Sequence, residues 1–308
     1  MKKTGLIILI VVCLVIFFSA LTGGVLLTLR TVGWQALLDR TQLQERVDTL
    51  LERAEPWGGF PLTITRRAID ETRPLDWDLD QVRLIQITAV SDQVIVSPVD
   101  QAGSARLNGV YRGSGKVGLV VVKQDDVLII RVDYPHFGIS FSDLTLQVDL
   151  PAGYGGTVKV TTVSGAIDLP AQRGQNWDAL DLKSVSGSIR AANTADAGVT
   201  FSTVSGQVGL SGLSAPVTGK TTSGQLDLSY DRAAPTTLST VSGDVTLHLP
   251  PSSDFKLDFT TVTGNFSHEG LDLDVTTQGS RKISALSGQG GLAFAVSTTS
   301  GSLTLSAN

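Results

Sequence analysis

A hydroxyl beside a glycine recurs along the C-terminal half of the chain: Ser164-Gly165, Ser186-Gly187, Ser205-Gly206, Ser223-Gly224, Ser242-Gly243, Thr263-Gly264 and Ser300-Gly301. A serine becomes a nucleophile only when one residue is singled out by an adjacent base. These copies are equivalent, set in contexts such as "TTVSGAIDL" (161–169) and "STVSGQVGL" (202–210), and no G-x-S-x-G elbow occurs. Equivalent pairs at a regular spacing indicate a structural corner rather than a catalytic centre.

The remaining candidates for chemistry are sparse. His136, His248 and His268 stand far apart, without metal-binding spacing, and are expected at the surface. "DWDLD" would place Asp76, Asp78 and Asp80 on one face of a strand, as a hard cation would require. No glycine turn or closing glutamate follows, so a solvated strand face is expected. "SGQGGL" (287–292) lacks the lysine and following helix of a phosphate loop and is read as a flexible loop. Outward Asp168, Asp227 and Asp244 alternate with Arg190, Gly209, Thr246 and Ser267, the pattern of a mixed solvated face rather than of paired catalytic carboxylates. No catalytic, cofactor or metal residue is assigned, and no cofactor is expected.

The elements that position these residues follow from hydrophobic patterning. Gly5 to Leu29 is free of charge and, at 25 residues, long enough to span a bilayer; it exceeds the apolar core of a cleaved signal peptide. Lys2 and Lys3 precede it, so residues 1–4 are expected in the cytoplasm, with the C-terminal domain outside a single-pass plasma-membrane anchor. Leu43, Val47, Leu50, Leu51 and Ala54 mark one face of a juxtamembrane amphipathic helix over 30–55. Residues 56–150 read as a β-rich N-terminal part of the ectodomain, and 151–308 as the repeat region. With 308 residues and 42% hydrophobic content the chain can bury a substantial core. A net charge of −5, without a basic run beyond the N-terminus, excludes a nucleic-acid partner. The single Cys13, inside the apolar run, leaves the ectodomain without a disulfide or cysteine metal site.

Glycines 165, 187, 206, 224, 243 and 264 are separated by 22, 19, 18, 19 and 21 residues; Gly301 follows after 37, about two periods, with "ALSGQGGLAF" between as a divergent copy. Two residues after each glycine stand Ile167, Ile189, Val208, Leu226, Val245, Phe266 and Leu303, apolar throughout. Apolar residues also dominate the positions five and seven before it, so a strand lies on each side. The two strands differ in parity, so one residue must be absorbed between them at the Ser-Gly pair. A glycine at positive φ would make that corner. Position −3 is always Thr or Ser, and stacked copies are expected to bond one another from turn to turn. A parallel β-solenoid of about 20-residue repeats results, with seven or eight turns; an antiparallel sandwich is the alternative.

The reiterated [ST]-V-S-G-x-[IV]-x-L pattern behind one N-terminal span resembles the bacterial cell-envelope family labelled "putative adhesin". The resemblance covers about residues 80 to 308, and "TAVSDQVIV" (88–96), with Asp92 replacing glycine, extends the pattern upstream. It implies a β-solenoid with a non-catalytic binding or scaffolding role and, as partner, an envelope glycan or a membrane protein. Two alternatives stand beside it: a sensory or scaffolding partner of an envelope-stress signalling system, and a carbohydrate-active β-helix enzyme.

Overall fold

Alternation in the sequence becomes alternation in burial. In Thr157–Thr161 (TVKVT), Val158 and Val160 are fully buried and their neighbours half-exposed; Val245–Leu249 (VTLHL) buries Val245, Leu247 and Leu249 in the same way. The computed structural model describes residues 65–135, 140–171, 177–192, 195–278 and 281–308. The expected span at 5–29, the helix at 30–55 and His136 lie outside those residues. The chain divides into Met1–Pro61 and Leu62–Asn308, and all described residues belong to the second unit. Among them no helix is long and apolar enough to cross a membrane, and the helical content is one 3-10 turn, Leu79–Gln81.

The described strands form two sheets. In hydrogen-bonded order the first contains Thr65–Pro74, Ser104–Gly113, Ser140–Pro151, Gln93–Val99, Ile167–Leu169, Ile189–Ala191, Val208–Leu213, Leu226–Tyr230, Val245–Leu249, Leu303–Ala307 and Phe266–Glu269. The second contains Asp274–Gln278, Lys282–Ser287, Phe255–Thr260, Leu292–Ser297, Thr236–Ser239, Val217–Lys220, Ala195–Ser202, Trp177–Lys183, Thr157–Thr161, Leu84–Thr88, Val127–Asp133 and Gly118–Gln124. Each repeat lays one strand in the second sheet, bends at its Ser-Gly pair, and lays the next in the first sheet. Successive turns pair in parallel with equivalent positions aligned, Leu180 beside Val158 and Ile189 beside Ile167. The antiparallel-sandwich alternative is thereby replaced by a parallel coil of two strands per turn.

The order of turns departs from the order of residues at both ends. Leu84–Val99 lies between the turn built from Val127–Asp133 and Ser140–Pro151 and the turn beginning at Thr157. Leu292–Ala307 likewise lies between the turn at Thr236–Leu249 and the turn at Phe255–Glu269. The 37-residue interval before Gly301 is therefore not two periods. Its middle forms the antiparallel hairpin Asp274–Gln278/Lys282–Ser287, which covers Phe255–Thr260, and the chain then returns to insert the last turn inside. Antiparallel strands also cover the other end, Gly118–Gln124 in one sheet and Ser104–Gly113 with Thr65–Pro74 in the other. Such strands cover the parallel edges that a bare stack would leave exposed to aggregation.

Inward residues of both sheets form one continuous core. Its stacks adjust size from turn to turn: the Phe201 ring occupies the space over Gly219, where a Cβ would collide with it. Fully burying a Leu or Phe contributes about 1.5–3 kcal/mol, and the columns repeat that gain in every turn.

Candidate functional site

The repeat points to the Ser-Gly corners. The corner glycines are not at positive φ, which corrects the conformational reason expected from parity. The reason is steric. A Cβ on Gly187 would overlap the Gly165 carbonyl oxygen, and the same clash recurs at Gly206 on Gly187, Gly224 on Gly206, Gly243 on Gly224, Gly301 on Gly243 and Gly264 on Gly301. The stack continues to Gly165 on the Asp92 carbonyl, so Asp92 is the corner of the upstream turn.

Position −3 also acts differently from the expected ladder. Its buried hydroxyl accepts the N–H of the glycine three residues on in its own turn: Gly165 N to Thr162 at 3.1 Å, Gly187 to Ser184 at 2.8 Å, and Gly206 to Thr203 at 3.0 Å. Gly224, Gly243, Gly264 and Gly301 repeat the bond to Thr221, Thr240, Thr261 and Thr298 at 2.7–3.0 Å. The bond closes the corner locally and satisfies an N–H that the bend removes from the sheet ladder. The corner serines are exposed and bond backward to the preceding turn. Val163 O accepts the N–H groups of Val185 and Ser186 and the Ser186 hydroxyl at 3.4 Å. Ser223, Ser242 and Ser300 donate in the same way to Val204, Thr222 and Val241 carbonyls at 3.3 Å, and Thr263 to Thr299.

Between those two positions lies a row that the sequence analysis did not single out. Val90, Val163, Val185, Val204, Val241 and Val262 are 43–50% exposed, with Thr222 and Thr299 completing the row. The valine methyls and serine oxygens form a ridge in which Asp244 is the one charged side chain on an exposed corner among the described turns. Because Ser186, Ser223, Ser242 and Ser300 donate their hydroxyls to backbone carbonyls, their outward lone pairs are acceptors.

The outer face of the first sheet holds the second candidate. Asp168, Arg190, Gly209 and Asp227 stand side by side in consecutive turns. Together with Ser188, Gln207, Ser211 and Ser229 they line an open groove of about 450 Å³. Asp168 and Asp227 are three turns apart, roughly 14 Å at the ordinary strand spacing. That exceeds the ~5–9.5 Å between the carboxylates of a glycosidase. Asp244 is separately engaged, accepting the Ser302 N–H at 2.8 Å.

One contact chain was hidden by sequence distance. Ser306 Oγ lies 2.6 Å from His248 Nδ1, and His248 Nε2 lies 3.2 Å from Asp227 Oδ1. The residue types are those of a nucleophilic triad. However, serine meets Nδ1 and aspartate Nε2, the reverse of the catalytic roles, and the His248 and Asp227 side chains are 36% and 49% exposed. The chain braces three neighbouring turns. Aligning the positions five residues after each glycine reveals it, because Ser229, His248 and Ser306 fall in one column.

The other motifs resolve locally. "DWDLD" is a bend entering the 3-10 turn, not a strand: Asp78 accepts from Gln81 Nε2 at 2.9 Å, while Trp77 and Leu79 pack on the core. "SGQGGL" is an ordered turn rather than a flexible loop. Gly288 and Gly290 adopt positive φ, and the N–H groups of Gln289, Gly290 and Gly291 converge on Asp254 Oδ1 at 2.6–3.1 Å. Those bonds hold the Asp254 carboxyl below the usual aspartate range. Among the described residues no cluster of three His, Cys, Asp or Glu side chains could hold a metal ion.

These features define an all-β protein of parallel-rich sheets, almost without helix. Residues 156–306 match the family model Toastrack DUF4097. Two solved structures are similar to the chain. A "putative cell adhesion protein" from Clostridium sporogenes ATCC 15579 is 10% identical, with a TM-score of 0.34, covering 79% of this chain and 100% of that one. A "putative adhesin" from Parabacteroides distasonis ATCC 8503 is 11% identical, with a TM-score of 0.35, covering 79% of this chain and 97% of that one. The comparison with curated proteins found no match.

Proposed function

We propose that the chain is an adhesin-like binding or scaffolding protein of the bacterial cell envelope. It is anchored in the plasma membrane by residues 5–29, with its C-terminal domain outside, and holds its partner without catalysis. Its coil is a parallel β-solenoid that repeats one contact unit per turn. The observation that carries this reading is the ridge of half-exposed valines beside a row of serine acceptors. A regular row of methyl groups and acceptors suits an extended partner bearing hydroxyl donors, such as an envelope glycan. The uncharged run behind Lys2 and Lys3 supports the anchor. The wide separation of Asp168 and Asp227 supports a non-catalytic role.

The whole chain, solubilised in detergent, is expected to be retained on isolated envelope polysaccharide without releasing fragments. The double variant Val185→Glu/Val204→Glu should lower retention about tenfold or more at unchanged thermal stability, through lost apolar contact. Release of soluble saccharides would establish an enzyme instead. Protease added to intact spheroplasts should remove the C-terminal domain; full protection would reverse the orientation.

A further inference from the structure

Glycine inside a strand is less stable than alanine, so a glycine on a sheet face needs a reason. At Gly219 the reason is the Phe201 ring. At Gly209 neither φ nor space requires it: its φ is not positive, and a Cβ would meet no atom within 4 Å. What the missing side chain produces is depth, because Gly209 forms part of the groove between Arg190 and Asp227.

We propose that this groove binds a carboxylate-bearing sugar unit of an acidic polysaccharide, with Arg190 holding the carboxylate. Among the described residues no acid lies within ion-pair distance of Arg190, although Asp168 is its neighbour in the preceding turn. Its planar guanidinium matches a carboxylate through two parallel hydrogen bonds. Asp168 and Asp227 set the rest of the selectivity. Their two negative charges repel a multiply charged phosphate more strongly than a singly charged carboxylate, and their oxygens accept the hydroxyl donors that a sugar acid also offers. Asp227 turns Oδ1 toward His248, leaving Oδ2 to accept a sugar hydroxyl. Ser188, Ser229 and Gln207 supply further hydrogen-bonding groups around the cleft. The inference rests on the binding reading only in taking the chain for a binding protein. Ridge and groove run over the same four turns but share no residue, so each can fail alone.

The test is calorimetric titration of the whole chain in detergent with a galacturonate oligomer, the methyl ester of the same oligomer, and inorganic phosphate. The free acid should bind, and the ester at least about tenfold more weakly, the loss of one charge-assisted interaction. Arg190→Gln should show the same loss. Gly209→Val should abolish binding while keeping the urea midpoint of the parent, because its side chain has room and suits a strand. Val122→Thr, exposed on the end strand Gly118–Gln124 and part of neither ridge nor groove, should leave the titration unchanged. Failure of the free acid to bind, equal binding of ester or phosphate, normal binding by folded Gly209→Val, or loss in Val122→Thr would each overturn the assignment.

Discussion

The Gly165 carbonyl oxygen occupies the space that a Cβ on Gly187 would need. The corners from Gly165 onward, each stacked on the carbonyl of a neighbouring corner, therefore have no room for a side chain whatever their backbone angles; only the upstream corner, at Asp92, carries one among the described turns. Gly187→Ala should cost about 2–4 kcal/mol through overpacking against unyielding backbone. Gly209→Ala, on the open face, should be neutral or gain up to about 1 kcal/mol. Urea denaturation compares the two, and equal midpoints would refute the steric role of the corner.

Thr203 offers a test of the closing bond. Its buried hydroxyl accepts the Gly206 N–H at 3.0 Å. Thr203→Val keeps the shape and leaves that N–H unpaired, which should cost about 1–3 kcal/mol. Thr203→Ser keeps the acceptor and should recover most of the loss. A Val variant as stable as the Ser variant would deny the bond any weight.

Asp254 should stabilise the C-terminal end in a pH-dependent way. The Gly291 N–H is the leading cause of its lowered pKa, opposed by desolvation and aided by Gly290 and Gln289. A carboxyl held below its unfolded value adds stability above about pH 3.9 and loses it as pH falls through the folded pKa. The advantage of the parent over Asp254→Asn in thermal melts should accordingly be full near neutrality and shrink below about pH 4. An advantage that does not change with pH would contradict the anchor.

Asp92 has the opposite sign. It is fully buried where the repeat has glycine, and burial raises its carboxyl, offset in part by the hydrogen bond from Tyr134. A raised carboxyl contributes stability below its unfolded value near 3.9 and loses it as pH rises through the folded pKa. Asp92→Asn should therefore gain on the parent as pH rises above about 4. A gap that moves the other way would show that the ionised form is the better accommodated one.

Much of the fold was legible because strands and corners are written locally. The inward columns Ile167, Ile189 and Val208 and the parity slip survive in three dimensions, whereas the hydroxyl at position −3 bonds the glycine of its own turn instead of forming a ladder. The reason for the corner glycine did not, since the clash is with a neighbouring turn and parity records only the path of one chain. "DWDLD" misled because period-two alternation over five residues also fits a bend followed by a 3-10 turn.

By itself the sequence determined the repeat, its two strands, the inward and outward positions and the place of the corner, because the side-chain period and its slip are local properties. Only the tertiary structure decided which turns are neighbours. Every turn presents nearly the same pairing edge, so local pattern does not say that Leu292–Ala307 inserts beside Thr236–Leu249 instead of following Phe255–Glu269. Non-local pairing likewise brought Asp227, His248 and Ser306 together and opened the groove at Gly209. These arrangements depend on what the stack places alongside each residue, and that is set by the packing of the whole coil.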